Sequence, residues 1–479
     1  MSSRSVDVAI LGGGAAGLAA AREARRRGAS ATLINRGPLG GDCTFTGCVP
    51  SKSVIEAARD GASFAEAFDR ARRVVASVAA TENAAVLRAE GVEVIDDEGE
   101  LVGPAELRVG ERRVRAKGVV LAMGSRPAVP PVPGLADADP LTSETLWSLE
   151  SAPSSLAVIG AGPMGCELAQ ALATLGVSVT LIELGPRVLG AEEPAASSVV
   201  HDALTKAGVD VRVGTGLTAV TPATGGARPA GVTADGAVED APPGGTGHRL
   251  ELSDGASITA ERILVAAGRR ANTDRGGLAD AGVALTGRGT IETGDDLSTS
   301  LKNTWAAGDV TGLLDLTHAA DHMGRLAATN ILRPVVKARF KGEQMPRVTF
   351  TSPEVASVGL SEAEAAGRWG AKARVAELPL TAHDRALAAD ATEGYLKLIA
   401  GPKWPTGTVG GGRLVGATVV AERAGEMIAE LALALRLGTY IGRLALTVHP
   451  YPTWSYAIPK TAAQFFVDIE GHAARPARG

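Results

Sequence analysis

The chain has 479 residues, too many for one ordinary core, so two to four domains are expected. A net charge of −5 offers no general attraction to nucleic acid or to an anionic membrane surface. No apolar run reaches the roughly 18 residues of a membrane span, and three cysteines are too few for a secreted disulfide framework, so a reducing cytoplasm is the expected setting.

Taken from the start, the apolar run 6–11 reads as a strand leading into Gly12-x-Gly14-x-x-Gly17. An Ala/Arg-rich helical stretch follows and stops at Gly28, and a second strand over 31–34 ends at Asn35. Three consecutive glycines and a recurrence deep in the chain separate this opening from a secretory signal. The recurrence runs through strand 156–159, Gly160-x-Gly162-x-x-Gly165, a helix stopping at Gly176 and a strand ending at Glu183. Matched positions lie 148 residues apart, Gly12 to Gly160 and Asn35 to Glu183 alike.

In such a unit the first glycine turns the chain, the second lets backbone approach a pyrophosphate, and the third lets helix and strand pack closely. Two dinucleotides are therefore expected. Glu183 can accept hydrogen bonds from a ribose diol and would repel a 2′-phosphate, which favours NADH over NADPH in the second site. Arg187 lies close enough in sequence to soften that preference. Asn35 can also bond a ribose, but it is neutral.

Between the two units stands Gly40-Gly41-Asp42-Cys43-Thr44-Phe45-Thr46-Gly47-Cys48-Val49-Pro50-Ser51-Lys52. Pro50 suits the first turn of a helix, which places Cys48 at that helix's N-terminus, where the macrodipole favours a thiolate. Lys52, four residues on, falls on the same face if the helix includes Cys48. Two other readings stay open for the pair, as buried structural cysteines or as half of a metal site. Zinc would need further soft ligands, and Cys166 is the only other cysteine.

This segment closely resembles the GGxCxxxGCxPxK motif of the class I pyridine nucleotide-disulfide oxidoreductases. That family includes dihydrolipoamide dehydrogenase, glutathione reductase and mercuric reductase. The likeness covers almost the whole chain. Residues 121–127, containing Gly124, and 265–270, containing Gly268, resemble the family's two ATG-type stretches. Residues 306–309 resemble the second FAD motif, and 350–359 resemble the opening of the dimerisation domain.

The resemblance implies an α/β chain with two Rossmann-like dinucleotide-binding domains, the NAD domain inserted in the FAD domain, plus a C-terminal α+β dimerisation domain. Residues 1–150 and 273–345 would bind FAD, 151–272 NAD(P), and 346–479 would dimerise. It further implies FAD and NAD as cofactors, NADP being less favoured, and a homodimer with a shared active site. Cys48 becomes the flavin-side cysteine and Cys43 the exchanging one. Lys52 pairs with Glu167, seven residues after Gly160, and Asp309 bonds the ribityl chain. His318 approaches the flavin, and Gly41 belongs with the cofactor-binding glycines. The substrate would be a small disulfide or dithiol.

One departure is plain. Disulfide-reducing members usually carry His-Pro-Thr with a glutamate shortly after, whereas residues 449–456 read HPYPTWSY. Tyr451 stands in the catalytic His position and Tyr456 in the glutamate position. A tyrosine, ordinarily titrating near 10, is a poor base at neutral pH. His449, two residues earlier, is the other acid/base candidate. This departure also raises a quinone, dye or metal-ion reductase on the same fold as the alternative. Mercury reduction itself is disfavoured by a tail without cysteines and a flavin domain starting near residue 6. Residues 221–247 read as a mobile surface loop, and 401–412 as a lengthened turn with Trp404 tucked in.

Overall fold

The computed structural model describes residues 4–223, 247–333 and 335–479. The loop expected at 221–247 thus lies almost wholly outside the described residues. Two compact units divide the chain. One gathers Met1–Pro130, Leu141–Ala152 and Ala267–Gly342, and the other gathers Pro131–Pro140, Pro153–Ala266 and Glu343–Gly479.

In the first unit, strand Arg4–Leu11 runs parallel to Ala31–Asn35 on one side and to Arg112–Leu121 on the other. Val8, Ala9 and Ile10 are wholly buried, as befits a central strand of a parallel sheet covered on both faces. Glu93–Asp96 extends the sheet beyond Ala31–Asn35, and Thr304–Ala306 pairs parallel with Arg112–Leu121. Helix Ala15–Arg26 carries Arg25 and Arg26 in its last turn, the end where cations are favoured. Its buried Glu23 meets Arg26, Arg27 and Thr329, and these bonds hold the carboxyl down to about 2 against the opposing effect of burial. Helix Thr317–Leu332 packs against it at Gly324, where a Cβ would strike the backbone of Ala16.

The second unit repeats the plan in a smaller sheet. Strands Asp210–Val213, Ser178–Glu183, Ser155–Ile159 and Arg262–Val265 are parallel neighbours in that order. An antiparallel three-stranded sheet, Leu217–Pro222, His248–Leu252 and Ser257–Ala260, adjoins their core. The same unit holds a six-stranded antiparallel sheet built on Glu354–Gly359, Arg413–Ala421, Tyr395–Gly401 and Arg374–Pro379. Helix Ala424–Leu437 covers it through Met427, Ile428 and Leu431.

Side chains from the second dinucleotide-binding segment tie it to this C-terminal sheet. Gln170 exchanges two hydrogen bonds with the backbone of Ser352, and Glu192 accepts from Ser357 and pairs with Arg347. Lys397, 6% exposed, reaches Glu193 at 3.2 Å and Glu362 at 3.1 Å. Burial raises the Glu362 carboxyl, but Arg475, the Arg478 amide and Lys397 together bring it down to about 2.

Removing one partner of a buried ion pair strands the other charge. Lys397→Met is expected to lower unfolding free energy by about 3–5 kcal/mol, measured by chemical denaturation at neutral pH.

Candidate active site

The first dinucleotide turn and the cysteine segment are built as one piece. Gly12 and Gly17 meet backbone to backbone, with no space for a Cβ on Gly17 beside the Gly12 carbonyl. Asn35, at the end of its strand, accepts from the Gly13 amide at 2.8 Å and donates to the carbonyls of Arg36, Gly37 and Pro38. The Gly40 amide donates to the Gly13 carbonyl at 2.9 Å, and a Cβ on Gly41, which sits at positive φ, would lie 2.8 Å from the Cα of Gly14.

Cys43 follows within the short helix Gly41–Phe45, and Cys48 is the first residue of helix Cys48–Arg59, with Pro50 in its first turn. Neither cysteine is in a disulfide, and both are half-buried. Cys43 is hydrogen-bonded to Cys48, and that contact, with burial, pushes the Cys43 thiol well above the usual thiol range. Cys43 therefore keeps its proton while charge is favoured on Cys48 at the helix N-terminus. The Cys48 sulfur lies 3.1 Å from Thr317 Oγ1 at the start of helix Thr317–Leu332. Lys52 is half-buried one turn further along the Cys48 helix. Trp147 Nε1 donates to the Thr46 carbonyl and braces the loop between the cysteines.

Arg269 joins three parts of this unit. Its guanidinium meets Asp42, the residue before Cys43, and donates to Ser125 Oγ at 2.6 Å. Ser125 in turn donates to Asp309 at 2.6 Å, with Arg269 3.6 Å from the same carboxylate. Gly124 and Gly268 flank these contacts, both at positive φ with open space where a side chain would stand. His318 is the second residue of its helix and exposed. The sequence reading passed over Asp42, Ser125, Arg269 and Thr317. Charged or hydroxyl residues directly beside motif glycines and cysteines were the available signal for the first three.

In the second unit, Gly160 turns the chain, Gly162 caps helix Pro163–Thr174, and Gly165 abuts the Gly160 carbonyl. A Cβ on Gly162 would meet nothing within 4 Å, which leaves the helix N-terminus open to an anion. Glu183 accepts from the amides of Ala161 and Gly185, each at 2.7 Å, so one lone pair per oxygen remains for a ribose diol. Arg187 is turned to the carbonyls of Leu189, Gly190 and Glu192. Both turns and their strand-end residues thus fit dinucleotides. Glu167 is only 4% exposed and accepts from the Phe350 amide at 2.8 Å. Cys166 beside it is buried, its thiol pushed up to about 12 by burial, which leaves it unreactive.

The C-terminal segment separates the two acid/base candidates. His449 is turned inward, its side chain 6% exposed, with Nε2 2.8 Å from Glu430 and Nδ1 3.0 Å from the Thr447 carbonyl. Both ring nitrogens face acceptors, so no lone pair is directed at a reactant. Tyr451 is 64% exposed and donates to Asp384 at 2.8 Å, which raises its pKa above the ordinary tyrosine value. The Tyr456 ring meets it edge to face at 5.4 Å. Trp404, expected to be tucked in, is instead 91% exposed, in the turn that joins strands Tyr395–Gly401 and Arg413–Ala421.

The family model described as "Pyridine nucleotide-disulphide oxidoreductase" matches residues 6–324, and that of its dimerisation domain matches 345–462. The mercuric reductase of Streptomyces lividans is 34% identical over 97% of both chains. Dihydrolipoyl dehydrogenase 3 of Haloarcula marismortui is 30% identical over 96% of both. Among solved structures, LpdA of Mycobacterium tuberculosis aligns with a TM-score of 0.83 at 26% identity, over 96% of this chain and all of that one.

The two turns can be tested apart. Gly165→Ala puts a methyl against the Gly160 carbonyl. The purified variant is expected to retain its flavin absorbance while losing measurable NADH binding by calorimetry.

Proposed function

Because this chain belongs to the pyridine nucleotide-disulphide oxidoreductases, we propose that Cys43 and Cys48 are its redox-active pair, passing electrons between a nicotinamide and a small disulfide or dithiol. It is a flavoprotein enzyme with FAD and NAD(P)H as its cofactors, two dinucleotide-binding domains and a dimerisation domain. Among the described residues no helix is long and apolar enough to cross a membrane.

The hydrogen-bonded thiol pair at a helix N-terminus carries this reading. Bound FAD supplies the two-electron step between nicotinamide and dithiol. Gly12, Gly14, Gly17, Asn35, Gly41, Gly124 and Asp309 would hold it in the domain formed by 1–150 and 273–345, with His318 beside its ring. Gly160, Gly162, Gly165, Glu183 and Gly268 would serve the nicotinamide dinucleotide in 151–272. Cys48 takes the flavin side, where the Thr317 hydroxyl and the helix dipole favour a thiolate. Lys52 adds positive charge one turn on.

Cys43 then performs the exchange. Its thiolate attacks a substrate disulfide, one substrate thiol leaves, and Cys48 attacks Cys43 to release the second and close the Cys43–Cys48 disulfide. Two electrons pass to the substrate, and the reverse sequence oxidises a dithiol. Since Cys43 holds its proton tightly, exchange needs a proton acceptor, and in a homodimer we assign that place to the partner's C-terminal segment with Tyr451. His449, committed to Glu430, serves to anchor that segment.

Cys43→Ser tests the reading. Turnover with cystamine is expected to fall roughly a thousandfold or more while NADH still reduces the bound flavin in stopped flow. Undiminished turnover would overturn the exchange at Cys43, and reduction of a metal ion or quinone at the parental rate by the same variant would favour direct transfer to that acceptor. Relatives named mercuric reductase, at 34% identity for the one from Streptomyces lividans, support the metal ion as that second reading.

The coenzyme preference follows from Glu183 with Arg187 turned away. We expect NADH to exceed NADPH in kcat/KM by roughly tenfold to a hundredfold, the worth of a charge-assisted hydrogen bond, and Glu183→Ala to narrow that ratio.

A further inference from the structure

Three consecutive residues grip the segment that carries Tyr451. His383, 2% exposed, packs its ring 6.2 Å from that of Trp454. Asp384 accepts the proton of the Tyr451 hydroxyl at 2.8 Å, and the Arg385 guanidinium lies 5.6 Å from the centre of the Trp454 ring. Lys460 donates to the Ala382 carbonyl at 2.8 Å and pins the start of the same stretch. An exposed tyrosine is thereby held in one orientation, its hydroxyl hydrogen committed to a carboxylate.

From this geometry, and resting on the reading that Tyr451 faces the exchange thiol of the second subunit, we infer that Tyr451 and Asp384 form a proton-accepting relay in place of a histidine base. During dithiol oxidation a substrate S–H bond breaks and its proton passes to the Tyr451 oxygen as the tyrosine's own proton passes to Asp384. The substrate thiolate attacks Cys43 and the Cys43–Cys48 bond breaks, leaving Cys48 as thiolate. The second substrate sulfur then displaces Cys43, which leaves with that sulfur's proton, and a cyclic disulfide departs. Two electrons reside on the cysteine pair for transfer to NAD⁺ by the enzyme's own chemistry, and one proton leaves Asp384 for solvent.

Asp384 acts through Tyr451 and is a positioning residue, while Tyr451 touches the substrate. The other charged or titratable groups around the pair are Tyr456, His383, Arg385 and Lys460, the last paired with Glu470. A raised Tyr451 pKa keeps the relay hydrogen in place through the neutral range.

The test follows NAD⁺-dependent oxidation of dithiothreitol by the holoenzyme between about pH 6 and about pH 10. Near neutral pH, Asp384→Asn and Tyr451→Phe should each reduce kcat by roughly a hundredfold, and the double variant should be no worse than either. The loss should shrink towards none above about pH 9, where thiols ionise without help. Asp384→Glu should recover part of the rate. Flavin content and the rate of flavin reduction by NADH, which report folding and the electron-entry side, should match the parent. A loss that is the same at every pH, additive losses, or no loss at all overturns the relay. The disulfide reading fails separately, if Cys43→Ser keeps its dithiothreitol activity. A Cys43→Ser enzyme that is dead beside an Asp384→Asn enzyme at parental rate sinks the relay alone.

Discussion

The backbone contact between Gly13–Gly14 and Gly40–Gly41 is the constraint on which the rest of the site depends. A hydrogen bond of 2.9 Å and a near-touching pair of Cα atoms press the cysteine segment directly onto the first dinucleotide turn. Any side chain at Gly41 would hold the two apart. Because they touch, the cysteine segment leaves directly from the turn expected to hold the pyrophosphate and runs into the helix beginning at Cys48. Arg269, Ser125 and Asp309 then lock further segments of the unit around Asp42.

Electrostatics sorts the two thiols within that frame. The cysteines sit in chemically distinct places, one opening a twelve-residue helix and one in a five-residue turn ahead of it. A single negative charge shared by the pair is favoured at the helix end, beside the Thr317 hydroxyl and under the helix dipole. Cys43 is left protonated and nucleophilic only after losing a proton. Under the proposed redox role, the same asymmetry would prepare the pair for electron entry and call for a proton acceptor at electron exit, the place where residues 449–456 depart from the His-Pro-Thr pattern.

In the C-terminal segment, contacts rather than composition set the place of each side chain. His449 and Tyr451 stand two residues apart, yet one ring is buried against Glu430 and the other is held at the surface by Asp384. The stretch 383–385, unremarked in the sequence, sets a buried ring and a guanidinium against Trp454 and a carboxylate against Tyr451. Similarly, Arg187 is close to Glu183 in sequence but turned to the carbonyls of Leu189, Gly190 and Glu192.

By itself the sequence determined the two dinucleotide turns, the strands and helices around them, the cysteine pair and its placement at a helix start. Each of these rests on local rules, since a glycine turn, a helix dipole and a strand-end polar residue act within about thirty residues of chain. Tertiary structure decided which neighbours those residues meet. Thr317 lies 269 positions from Cys48, Arg269 lies 227 from Asp42, and Asp384 lies 67 from Tyr451, separations over which no periodicity or spacing carries information. The exposed Trp404 is the same lesson in reverse, because burial depends on what the fold brings over a residue and not on the residue's own hydrophobicity.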